Sequence, residues 1–170
     1  MQAAGVQAAG ALGAVLRLVD RLSYGAIVLA MAAMTILVSV QVFVRYVLGS
    51  SIDSADELSR LFFIWAIFLA IPQGIRYGIH VGIDLLVAKF GPRNRDRLFR
   101  AMSAAGAVLM ATVLYAAIVA TADKWQELMP TIDVTAAVYY IAVLVCAVHS
   151  LLHLLHQTLA GPSAVDRDSF

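Results

Sequence analysis

Charge is scarce in this sequence: Asp, Glu, Lys and Arg make up 14% of the 170 residues, where soluble domains carry about a quarter. Cysteine is nearly missing too. Cys146 stands alone inside an apolar run, so no internal disulfide can form and no zinc site of cysteine pairs exists. A Gly-x-Ser-x-Gly elbow, a P-loop, a His-Glu-x-x-His motif and paired carboxylates within an apolar run are all lacking, which removes the common supports of hydrolytic, phosphoryl-transfer and metalloprotease chemistry. A net charge of +1 offers no concentrated basic surface for nucleic acid. The sequence therefore predicts no enzyme, no cofactor, no metal and no nucleic-acid partner.

Apolar residues are what the chain has in excess, at 62% with a mean hydropathy of +0.86. No soluble interior of this size could hide them, so the lipid bilayer takes the place of a water-excluded core. Four runs approach the roughly 20 helical residues that a hydrocarbon core requires. With their flanks they predict spans at 24–44, 58–77, 98–122 and 134–156 within a single membrane domain covering 1–170. The second run is the shortest and contains Pro72, which removes a backbone donor, so that span must borrow flanking residues or bend. Ser103, Ala107 and Ala111 follow at four-residue spacing in the third, a stripe on which a neighbouring backbone can approach closely. The fold class is thus all-α and integral to the membrane.

Two further segments read as interfacial. In 1–23, Leu12, Val15, Leu16, Val19 and Leu22 recur at helical spacing opposite Arg17, Asp20 and Arg21, which suits either an interfacial helix or an unstructured leader. The segment lacks the basic start of a cleavable signal peptide. In 78–97, Ile79, Ile83, Leu86, Val87 and Phe90 give an apolar face, and Arg76, His80 and Asp84 follow one another at intervals of four. An amphipathic interfacial helix or a turn pinned by side chains would use this pattern, with Gly78 and Gly82 favouring the turn. The stretch 161–170 reads as a polar tail.

Lys and Arg set the orientation. Arg17, Arg21, Arg76, Lys89, Arg93, Arg95, Arg97, Arg100 and Arg167 fall on one side, against Arg45, Arg60 and Lys124 on the other. The positive-inside rule places the nine, and with them both chain ends, in the cytoplasm. The outer loops also hold Asp53, Asp56, Glu57, Asp123, Glu127 and Asp133.

Some polar residues stand out from this background. Ser54 is positioned to cap a helix whose first turn holds Asp56 and Glu57, with Arg60 one turn further on. Such a pair anchors structure when exposed and fixes subunit register when desolvated against a partner. Trp65 falls near the middle of the second span, away from the headgroup belt, where its indole N–H wants an acceptor in this chain or in another subunit. His149, His153 and His156 share a face at the cytoplasmic end of the fourth span, level with His80. A bis-histidine haem, as in a membrane anchor of a redox complex, is the alternative reading of that cluster.

The stretch VFVRYVLGSSIDSADELSRLFFIWAIFLAIPQGIRYGIHVGIDLL, residues 42–86, resembles the small membrane subunit of tripartite ATP-independent periplasmic (TRAP) transporters, the DctQ type. The likeness lies in the Arg-Tyr ending the first span, the acid pair before Arg60, the Phe62-Phe63-Ile64-Trp65 run and the Arg76, His80, Gly82, Asp84 pattern. It departs at Ile52 to Ser54, where the family often has a tryptophan, and matches loosely after Pro130. The resemblance implies a scaffold in a bacterial inner membrane. It would support a large membrane subunit that imports an organic acid or similar solute with sodium, delivered by a periplasmic binding protein. Glu57, Arg60, Trp65, Arg76, His80 and Asp84 would then serve as subunit-interface or anchoring residues.

Overall fold

In the computed structural model, residues 2–76 and 92–161 are described, and they form four helices: α1 (Gln2–Val47), α2 (Asp53–Arg76), α3 (Pro92–Asp123) and α4 (Ala137–Ala160). Each contains a stretch long and apolar enough to cross a membrane. The expected all-α membrane architecture is therefore present. His80, Asp84 and most of the expected interfacial segment at 78–97 fall outside the described residues.

Helix boundaries depart from the sequence expectation at three places, each for a local reason. The chain is continuously helical from Gln2, because nothing between the N-terminal amphipathic stretch and the first apolar run breaks a helix. At α2 the helix starts at Asp53, so Ser54 lies within the first turn and is not its cap; Asp53 and Asp56 supply the acids that a helix N-terminus favours. At α3 the helix begins at Pro92, ahead of the apolar run, since proline fits a first helical position where its missing N–H costs nothing. Pro72 is buried inside α2, which borrows flanking residues and continues to Arg76.

The helices alternate in direction and pack in the order α1, α2, α4, α3, with α1 also reaching α4 beside Asp20. Helix α3 packs mainly on α4, α1 mainly on α2, and α2 bridges to α4. The two outer helices are consequently the more exposed, and on α1 Leu29 is 73% and Tyr46 82% accessible. On α3, Ser103 and Ala107 of the predicted small-residue stripe are buried, whereas Ala111 is exposed. Gly106 completes the close approach: a β-carbon there would lie 3.2 Å from Leu154 Cδ2. Gly106→Leu is expected to destabilise the α3–α4 pair by about 1–3 kcal/mol, read as a lower midpoint in thermal unfolding of the detergent-solubilised chain; an unchanged midpoint would show that the two helices are not packed this closely.

Helix α4 ends at Gly161, whose φ of 72° is open to glycine and whose N–H donates to the Gln157 carbonyl. Arg100 of α3 donates to the Thr158 and Leu159 carbonyls at 2.8 Å each, satisfying the last turn. At the opposite end the α3–α4 loop is held by Thr135, whose hydroxyl donates to the Trp125 carbonyl, and by Lys124 with Glu127 at 2.7 Å. That carboxylate raises the Lys124 ammonium above its ordinary pKa.

Candidate functional site: two polar clasps at opposite ends of the bundle

One end of the bundle is tied by Asp20. Its carboxylate is 3% exposed although it belongs to a span-forming helix, and such a charge needs partners. The partners come from two other helices. His149 and His153 lie one turn apart on α4, so their rings share a face, and each Nε2 lies 2.8 Å from Asp20 Oδ1. The two nitrogens are 3.2 Å from each other. From α2, Arg76 approaches Asp20 Oδ2 at 3.5 Å, while Gln73 donates to the Asp20 backbone carbonyl at 3.0 Å. Gln157 of α4 donates to the Ile75 carbonyl at 2.7 Å, covering one of the carbonyls that the end of α2 leaves without a helical partner. Gln157→Leu is expected to cost about 1–3 kcal/mol by leaving that carbonyl buried and unpaired; a chemical-denaturation curve superimposable on the wild type would refute the assignment.

Of the three histidines read together in the sequence, the structure joins two. His156 is only half-buried and lies against Gly13 of α1. The Nε2 atoms of His149 and His153 face a carboxylate instead of an open slot for a porphyrin, and His80 is outside the described residues. Asp20 is the residue that sequence reasoning missed as a site residue. It read as part of the polar side of an interfacial helix, and the available signal was a lone acid one turn before the uncharged run of α1. One carboxylate oxygen and two imidazole nitrogens, all buried, form a donor set able to hold a cation.

The other end is tied by Glu57. Its Oε2 accepts the Thr131 backbone N–H at 2.8 Å and the Thr131 hydroxyl, fastening the first turns of α2 to the α3–α4 loop. No ion pair joins Glu57 to Arg60 among the described residues, because the carboxylate is directed at Thr131. Gln41 of α1 donates to Asp56 at 2.6 Å beside it. Arg60 is exposed and lines an open cleft of about 440 Å3 with Glu127, Tyr139 and Tyr140. Trp65 is half-buried midway along α2, and its indole N–H has no acceptor among the described residues.

Residues 34–161 match the family described as tripartite ATP-independent periplasmic transporters, DctQ component. A TRAP transporter small permease, as the protein is named in Haemophilus influenzae, is 39% identical over 62 residues, a stretch that covers 36% of this chain and 38% of that protein. The chain thus aligns with about two fifths of the length of that relative. With the family match running from the last third of α1 through the end of α4, and so taking in all of α2, α3 and the Glu57 clasp, this chain belongs to the DctQ component family of TRAP transporters.

Proposed function

We propose that the chain is the small scaffolding subunit of a TRAP transporter in a bacterial inner membrane, with both ends cytoplasmic. On this reading it braces a large membrane subunit that imports an organic acid or similar solute with sodium, received from a periplasmic binding protein. The family match over residues 34–161 carries the proposal. Physical features support the role of a brace over that of a conduit. Residues 25–44, 61–75 and 101–122 contain no Asp, Glu, Lys or Arg, whereas a transport pathway needs ionisable or broken-helix sites at mid-membrane. The order of packing leaves the sides of α1 and α3 available to lipid or to another subunit. Trp65 presents an N–H at mid-span for which an acceptor on the large subunit would suit, since hydrocarbon offers none. Glu57, Arg60, Arg76, His80 and Asp84 remain the proposed anchoring or interface residues.

Affinity purification of the chain from native membranes in mild detergent, followed by mass spectrometry, tests the assignment. A stoichiometric, much larger polytopic subunit is the expected companion, and sodium-dependent uptake by the reconstituted complex tests the coupling. Isolation with a redox subunit, or with no partner, would overturn the reading.

A further inference from the structure

We infer that Asp20, His149 and His153 bind a first-row divalent metal ion of borderline character, Zn2+ above all, which clasps α1 to α4. The three donor atoms form a compact triangle with sides of 2.8, 2.8 and 3.2 Å, and all three residues are buried. An ion at the customary distance of about 2.0–2.1 Å from each donor would sit roughly 1 Å out of their plane. Two histidines at i and i+4 on one helix face are a spacing that imparts this convergence without distorting the backbone. Two nitrogens beside one oxygen favour Zn2+ and its neighbours over Mg2+ and Ca2+, which take oxygen ligands.

Two buried rings converge on a single carboxylate oxygen, and the buried Nδ1 of His149 has no hydrogen-bond partner among the described residues. Coordination through Nε2 would use all three donors at once. Each imidazole would carry its proton on Nδ1. Arg76 touches the other carboxylate oxygen, so Oδ1 stays turned towards the histidines, an outer-shell arrangement that orients a ligand. Asp20 also lines an open cleft of about 540 Å3 shared with Arg17, Arg21, Gln73 and Arg76, the side from which an ion would approach. The positive rim of that cleft weakens binding, as does the buried Nδ1 of His149, which lacks a partner among the described residues, so the site is expected to hold its ion less tightly than a closed structural zinc site.

The full chain in detergent, without a polyhistidine tag and stripped by a chelator, is titrated with Zn2+ against a colorimetric competitor. One ion per chain is expected. Asp20→Asn, His149→Asn and His153→Asn should each weaken binding by at least about 100-fold, whereas His156→Asn should retain it. Helix content by circular dichroism accompanies every variant. Co2+ gives a readout that depends on no variant, through the visible absorption of a nitrogen- and oxygen-ligated ion in the wild-type chain. Substoichiometric zinc in the wild type, a Co2+ spectrum like that of the aqueous ion, or equal affinity in the Asp20→Asn/His153→Asn double variant would each overturn the assignment. These outcomes are independent of whether the chain serves a transporter.

Discussion

Replacing Asp20 with alanine is expected to destabilise the chain by about 3–5 kcal/mol, the range found when one partner of a buried charge network is removed. Three groups lose a partner together: His149 and His153, whose Nε2 atoms each lie 2.8 Å from Asp20 Oδ1, and Arg76, whose guanidinium lies 3.5 Å from Oδ2. Water cannot fully replace the carboxylate beside the two histidines, which are 3% and 5% exposed. Asp20→Asn keeps an acceptor oxygen and nearly the same volume, so its loss should be clearly smaller. Stability would be read from unfolding of the solubilised chain in a graded denaturing detergent, with circular dichroism following helix content. An alanine variant within about 0.5 kcal/mol of the wild type, the range of ordinary surface changes, would mean that Asp20 does not tie α1 to the bundle.

Glu57→Lys should be the most damaging single change at the other end. The variant removes a charged acceptor from a backbone N–H and a hydroxyl of Thr131, a loss of about 1.5–3 kcal/mol for a bond to a charged group. It also sets a new cation one turn from Arg60 on the same helix, an unfavourable like-charge pair of a few tenths of a kcal/mol. The α3–α4 loop would then be released from the start of α2. If the large subunit docks on this end, the yield of co-purified complex and the rate of uptake both fall, and Glu57→Gln, which still accepts a hydrogen bond, recovers part of each. Complex yield and uptake unchanged by Glu57→Lys would sink the idea that this end registers the subunits.

What the sequence revealed and what it hid follow from the range over which each signal acts. The four helices were legible because apolar run length is a property of consecutive residues, and even the proline of α2 left that helix intact. Helix ends were less so: the run-based start of α3 fell several residues after Pro92, since helix-forming flanks carry no apolar signal. The Ser103 and Ala107 stripe was legible from spacing alone, yet the pairing of Gly106 with Leu154 needs the relative rotation of two helices. The histidine face on α4 could be seen, but its partner lies 129 positions away in sequence from His149. Glu57 was recognised as notable and assigned to Arg60, the nearest cation; Thr131, 74 positions off, emits no comparable local cue.

The two clasps also set a length. From Glu57 to Arg76 the axis of α2 rises about 28 Å at roughly 1.5 Å per residue, close to the hydrocarbon thickness of about 30 Å. Because each clasp is polar and joins several helices, neither can slide into the acyl chains without taking its bonded partners along. The bundle therefore behaves as a gauge block. A thinner or thicker bilayer must deform around it or tilt it as one piece, while the separate helices are prevented from adjusting independently. A large subunit of the kind proposed, working beside it, would meet a wall of constant height.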